Sequence, residues 1–229
     1  MRIGILGGSF NPVHVGHVRL ALEVLEASLP GAGERLHHVD MLPCAQPPHK
    51  PPRGLLPFAL RLQLLRAAVA GIPGLEVNDL EGERPGPSYT CDTLAAYRKH
   101  YPDARLLFIL GGEDFACLPQ WRRGLELPQL ADLAVVPRAG SDQADFQQDV
   151  LRNWPEARLI RTHSQLYAEL PGDKRLIYLP LPRLDISASH IRQRWLAGRN
   201  VRFLLPDAVL HMLEEQRPAV AACWHDSPA

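Results

Sequence analysis

The chain has 229 residues, 46% of them hydrophobic, and its 25 basic side chains balance 25 acidic ones for a formal net charge of zero. That length carries one domain with a full core and room for a small C-terminal helical extension. The charge balance excludes a global field that would recruit nucleic acid or an anionic membrane, and no apolar run reaches transmembrane length; the four cysteines form no C-x-x-C pair, so a cytoplasmic protein with reduced thiols is expected.

Met1 leads straight into a short apolar run, and no secretory signal peptide is expected. Arg2–Leu6 reads as a buried strand. Gly7-Gly8-Ser9-Phe10-Asn11-Pro12-Val13-His14-Val15-Gly16-His17 follows, and then Val18–Ala27, where Val18, Leu22 and Leu25 recur at helical spacing. Strand, glycine-bearing loop and helix together present backbone N–H groups and a helix N-terminus to a bound phosphate. Gly7 and Gly8 let a polyphosphate approach the main chain, Pro12 stiffens the loop, and Gly16 leaves room beside the helix start. His17 would sit in the first helical turn, where the dipole favours anions. A glycine pair after a strand is by itself only a tight turn, and His14 and His17, three apart, could also place two metal ligands on one face. The spacing is three rather than four and no glutamate lies between them, which argues against a zinc hydrolase of the His-Glu-x-x-His type. Phosphate chemistry is the reading these residues favour.

Further along, strands are predicted at His38–Leu42, Leu75–Val77, Leu106–Leu110, Leu133–Val136 and Ile177–Leu179. Helices are predicted at Phe58–Val69, Thr90–His100, near Asp114–Leu118, and at Ser189–Leu196 and Asp207–Glu215. The alternation predicts an α/β fold with a doubly wound parallel sheet, right-handed crossovers, and ligands at the strand ends near the switch point where the first loop falls. Pro43–Pro57 holds six prolines and reads as a long ordered loop belonging to the site. Its His49-Lys50 pair is a solvated one in isolation, but beside the first motif Lys50 becomes a group that neutralises phosphate. Ala139–Arg175 is polar and weakly periodic and receives no assignment. At Ile186–Arg192, Ser187 or Ser189 fits an ordinary N-cap; two hydroxyls and Arg192 at a helix start also fit a second phosphate site. One domain is expected over residues 1–217, with C-terminal helices from about 187 and a flexible tail from 218.

Five segments, in order, carry a resemblance. His14-Val15-Gly16-His17 resembles the His-x-Gly-His signature of the nucleotidylyltransferase superfamily. With Pro47-Pro48-His49-Lys50, Pro87-Ser88-Tyr89-Thr90, the Gly111-to-Trp121 stretch and Ile186–Arg192, the chain is similar to the bacterial nicotinate-mononucleotide adenylyltransferases. The resemblance implies a Rossmann-like fold and ATP-dependent adenylyl transfer to nicotinate mononucleotide, giving nicotinate adenine dinucleotide and pyrophosphate in NAD biosynthesis. It also implies site roles. His14, His17, Lys50 and Arg192 would carry the chemistry. Gly7, Gly8, Ser9, Phe10, His49, Ser187 and Ser189 would line the ATP phosphates, and Thr90, Glu113 and Trp121 would bind the acceptor. Trp121 would stack on the pyridine, with Arg122 or nearby backbone N–H groups facing its carboxylate. The family has aspartate where Glu113 stands, and Asp114 could serve instead if the register slips by one. Magnesium would accompany ATP without a dedicated protein cage, and no protein metal site is expected. The alternatives are another acceptor (nicotinamide mononucleotide or phosphopantetheine) and a non-catalytic nucleotide-sensing module. A fragment of a class I aminoacyl-tRNA synthetase fits poorly, since the chain has no strong positive charge. Neither nucleic acid nor membrane is an expected partner, and the oligomeric state stays open.

Overall fold

The computed structural model describes residues 1–30, 35–48, 53–137, 142–182 and 184–225. Strands β1 (Arg2–Gly8), β2 (His38–Pro43), β3 (Leu75–Val77), β4 (Arg105–Gly111), β5 (Asp132–Val136), β6 (Arg158–Arg161), β7 (Leu166–Leu170) and β8 (Lys174–Tyr178) form a sheet in the order β3-β2-β1-β4-β5-β8-β7-β6. Helices α1 (Val15–Glu26), α2 (Phe58–Val69), α3 (Thr90–His100), α4 (Gly112–Ala116), α5 (Leu127–Leu130) and α6 (Gln143–Asn153) are interleaved with the strands, and α7 (Ala188–Leu196), α8 (Asp207–Glu215) and α9 (Arg217–His225) follow them. The strand order turns between β1 and β4, and the loop after β1 leaves the sheet at that turn, the switch point at which α/β sheets bind ligands.

The Rossmann-like α/β fold is as expected, but the sheet is mixed rather than wholly parallel. β1 pairs with β4, β4 with β5 and β5 with β8 in parallel, whereas β8–β7 and β7–β6 are antiparallel. The reason lies in the connections. β6 and β7 are joined by a tight turn in which the Thr162 N–H donates to the Gln165 carbonyl at 2.8 Å. β7 and β8 are joined by a turn in which Gly172 and Asp173 take φ of 79° and 56°. Neither is long enough for the crossover that parallel pairing requires. The stretch left unassigned from the sequence therefore supplies α6, β6 and β7, and leads into β8.

Contacts divide the chain into two compact units. The first comprises Met1–Leu6, Glu23–Val39 and Tyr89–Pro182. Its strands are apolar on both faces, as strands covered on both sides must be, with Ile3, Ile5, Leu106, Leu133 and Ala134 wholly buried. Phe115 stacks on Phe146 and Trp154 at ring distances of 5.5 and 5.8 Å. A capping box starts α6: the Asp142 carboxylate accepts the Ala144 and Asp145 N–H groups, and the Asp145 carboxylate accepts the Asp142 N–H. Asp92 in the first turn of α3 and Arg98, Lys99 and His100 in its last suit the helix dipole.

The second unit comprises Gly7–Leu22, Asp40–Ser88 and Arg183–Ala229. Phe10, Val13, Met41, Leu56, Leu64 and Leu65 are buried in it, as are Trp195 and Trp224 of the C-terminal helices. The loose tail expected from residue 218 is corrected. Residues 217–225 are helical, Val220 and Trp224 are buried, and the Trp224 ring meets Trp195 edge-on at 5.1 Å. Among the described residues no helix is long and apolar enough to cross a membrane.

Candidate active site

In the second unit, β1 ends in the loop that the sequence marks for phosphate. Gly8 accepts the Cys44 N–H at 2.8 Å through its carbonyl, which ties the loop to the end of β2. Its missing Cβ serves packing, since a Cβ there would lie 3.1 Å from the Phe10 ring. Phe10 turns the chain with φ of 44°, in the left-handed region, and buries its ring under the loop, edge-on to His17 at 4.9 Å. The Asn11–Pro12 peptide is cis.

Helix α1 starts at Val15, so His14 immediately precedes it and His17 stands in its first turn, as the sequence implied. The Val15 N–H is capped by the Leu204 carbonyl at 3.0 Å. The His14 and His17 rings stack, with centroids 3.6 Å apart and planes 22° from parallel, and the His14 N–H donates to Nδ1 of His17 at 3.2 Å. His14 is buried and His17 half-buried, so one imidazole supports another that reaches the surface.

Arg192, on α7, comes to the same loop across 181 residues. Its Nη1 donates to the Asn11 carbonyl at 2.9 Å and its Nη2 to Ser189 Oγ at 3.3 Å. Burial pushes its guanidinium below the usual value, opposed by Cys223 nearby. Ser187 takes the ordinary role: it is the N-cap of α7, accepting the His190 N–H at 3.2 Å. His14, His17, Phe10, Arg192 and Ser189 are therefore brought together around one loop. His49 and Lys50 lie outside the described residues.

Two residues that sequence reasoning missed hold this loop. Arg61 is 1% exposed. Its Nη1 donates to the Ser9 and Cys44 carbonyls at 2.8 and 2.7 Å, and its Nε to Leu56 at 2.9 Å. A planar fork with five donors is suited to pinning several carbonyls at once. Burial and Glu81 push the neighbouring Cys44 thiol up to about 11. Asn11, within the motif but given no role from the sequence, is also buried; its Nδ2 donates to Gly54 at 2.7 Å and its Oδ1 accepts the Leu56 N–H at 3.1 Å. Ser88 secures the start of the proline-rich stretch, its Oγ accepting the Ala45 and Gln46 N–H groups.

The residues assigned to the acceptor lie in the first unit. Thr90 opens α3, and Arg122 returns to that helix start, its Cζ 4.6 Å above the Tyr89 ring and its Nη1 3.5 Å from Asp92. Trp121 is half-buried in a tight turn, its N–H donating to Leu118 and its carbonyl accepting the Gly124 N–H. Gly124 permits that turn, because a Cβ there would sit 1.9 Å from the Leu118 carbonyl oxygen. Glu113 and Asp114 are both exposed in the first turn of α4.

Residues 5–194 match the cytidylyltransferase-like family. The chain belongs to that family. Within it the chain is similar to the nicotinate-nucleotide adenylyltransferases. It is 40% identical to a "Probable nicotinate-nucleotide adenylyltransferase" of Citrifermentans bemidjiense, over 97% of this chain and 100% of that one. A protein of the same description from Pelobacter propionicus is 38% identical over 95% and 97%. In fold, this cytidylyltransferase-like chain is similar to the Plasmodium falciparum nicotinic acid mononucleotide adenylyltransferase complexed with NaAD, with a TM-score of 0.68, 16% identity, and 94% and 96% of the two chains covered.

Proposed function

We propose that this protein transfers the adenylyl group of ATP to nicotinate mononucleotide, releasing pyrophosphate and forming nicotinate adenine dinucleotide. The observation that carries this reading is the stacked His14–His17 pair at the start of α1, with the Arg192 guanidinium anchored on the same loop. Three cationic or N–H-bearing side chains gathered there suit charge that builds on the α-phosphate and the departing pyrophosphate. No nucleophilic side chain is needed. The acceptor phosphate attacks the α-phosphorus in line, and the P–O bond to the β-phosphate breaks, its electron pair leaving with pyrophosphate. The protein holds both reactants and donates hydrogen bonds to the charged oxygens.

Thr90 and Trp121 support the pyridine acceptor, with the Trp121 ring as the stacking surface and Glu113 or Asp114 on the ribose side. Lys50 and His49 are assigned to the phosphates on sequence grounds. The segment Gly7–His17 has no carboxylate, and its side-chain donors are imidazole, amide and hydroxyl. Magnesium prefers oxygen ligands, so this donor set suits an ion held mainly by the triphosphate itself, where it would neutralise phosphate charge. The wide spacing of Cys44, Cys91, Cys117 and Cys223, with no C-x-x-C pair among them, supports a reducing compartment, the cytoplasm.

The test is pyrophosphate release from ATP and magnesium with nicotinate mononucleotide, nicotinamide mononucleotide or phosphopantetheine offered separately. Fastest turnover with nicotinate mononucleotide is expected. Activity with phosphopantetheine alone overturns the assignment, and ATP binding without turnover of any acceptor favours a nucleotide sensor.

A further inference from the structure

Trp224 lies 213 residues beyond Asn11, yet its indole Nε1–H donates to Asn11 Oδ1 at 3.3 Å. That oxygen also accepts the Leu56 N–H at 3.1 Å, and the amide Nδ2 donates to Gly54 at 2.7 Å. Asn11's own carbonyl receives Arg192 Nη1 at 2.9 Å. One buried side chain is thus gripped from two directions, and the backbone it fixes is the platform on which the Arg192 guanidinium sits. Asn11 is 6% exposed and Trp224 2%, so water is poorly placed to replace a lost partner.

Trp224 is itself held firmly. Its ring packs edge-on against Trp195, whose Nε1–H donates to Glu214 Oε1 at 2.8 Å. Arg217, at the start of α9, pairs with Glu214 at 2.7 Å and lies 4.1 Å over the Trp195 ring. α7, α8 and α9 are fastened to one another; α9 grips the loop through the indole N–H, as α7 does through Arg192.

We propose that α9 is a positioning element for phosphate chemistry, with Trp224 a positioning residue that acts through Asn11 on the loop and on Arg192. This rests on the adenylyl-transfer reading above. Trp224 touches no substrate in this account; it restricts how Asn11 turns, and so where the Arg192 donors point. A purely structural Trp224 would matter for melting temperature alone.

The test uses the full chain and four variants, Trp224→Phe, Trp224→His, Asn11→Ala and the double variant Trp224→Phe/Asn11→Ala, with melting temperature, kcat and both Michaelis constants measured. Trp224→Phe keeps a ring against Trp195 but loses the donor. Its kcat should fall about 5- to 20-fold, with the Michaelis constant for the acceptor unchanged. Trp224→His, which restores a ring N–H, should recover part of the rate. In the Asn11→Ala background the phenylalanine change should cost no further rate, because the partner it acts on is gone. Folded Trp224→Phe with parental kcat, or losses that multiply in the double variant, overturns the proposal. If Trp224→Phe does not fold, Asn11→Ala decides alone, and parental kcat in that variant overturns it. Binding of a non-hydrolysable ATP analogue by the parent separates the two levels. A parent that neither binds it nor releases pyrophosphate overturns the adenylyl-transfer reading and this one together, whereas an active parent with an unaffected Trp224→Phe overturns this one only.

Discussion

Gly16 lies so close to the His14 imidazole that a Cβ on it would sit 3.1 Å from Nδ1. The bare α-carbon is the floor on which the buried ring rests, and His17 is stacked 3.6 Å away from that ring. A methyl group at position 16 must push His14 by a few tenths of an ångström, and the stack leaves little slack. Gly16→Ala should fold and lose roughly 3- to 30-fold in kcat, since displacing a reacting assembly by even a fraction of an ångström is costly. Stopped-time pyrophosphate assays with a melting curve beside them check this; parental turnover would mean that the ring position is not critical.

The hydrogen bond from the His14 N–H to His17 Nδ1 places the proton of a neutral His17 ring on Nε2, leaving that nitrogen as a donor. Glutamine carries its terminal amide near the Nε2 position, and asparagine carries one near Nδ1. His17→Ala should slow adenylyl transfer by about 10²–10³, the usual cost of one donor to developing charge. His17→Gln should retain more activity than His17→Asn. The opposite order would mean that Nδ1, not Nε2, serves the reaction.

Trp121 is pinned by its backbone while its ring is only half-buried, so its loss should disturb ligand more than fold. Trp121→Ala should raise the Michaelis constant for nicotinate mononucleotide roughly 5- to 150-fold, equivalent to about 1–3 kcal/mol, and that for ATP much less, with Trp121→Phe intermediate. Gly124→Ala, which forces a Cβ into the Leu118 carbonyl, should show the same acceptor bias together with a lower melting temperature. Proportionate losses for both substrates in Trp121→Ala would return that ring to a structural role.

Glu214 gives a pH dependence with a definite sign. The Arg217 hydrogen bond, aided by the Trp195 N–H, holds its carboxyl below the usual 4.5. A depressed folded-state value contributes stability that is complete above the unfolded value and is lost as pH falls through the folded one. Glu214→Gln should therefore melt lower than the parent near neutral pH, and the two curves should begin to converge below 4.5 and meet once the pH has fallen through the lower folded-state value. Both partners are substantially exposed, so the gap should be small. A gap that widens in acid would contradict the assignment.

The parts of the molecule that were legible in the sequence are those whose signal is local. Phe58–Val69, Thr90–His100 and Asp207–Glu215 form helices at the residues that their apolar spacing marked, and the His14-x-Gly-His17 loop stands at the end of the first strand. β6 escaped because Arg158–Arg161 is an edge strand with charged, exposed ends, which reads as loop. Asp142 and Asp145, three apart ahead of Phe146 and Val150, did mark the start of α6 and could have been used. Arg61 and Trp224 left no such trace. Each reaches the site by bonding to carbonyls or an amide far away in the chain, and no periodicity encodes that. Arg61 looked like one polar residue on a helix, and Trp224 like an aromatic in a tail.

The grip of Trp224 on Asn11 also sets an order of events. Residues near the two ends of the chain must meet before the loop is fastened, across a separation of 213 positions. Contacts of such span form late, because the intervening chain has to be ordered before they are rewarded. During synthesis both histidines leave the ribosome early and the tryptophan long afterwards. A nascent chain would carry the signature through the synthesis of every element up to α9 without this contact, and the indole would reach Asn11 only once α9 has been made.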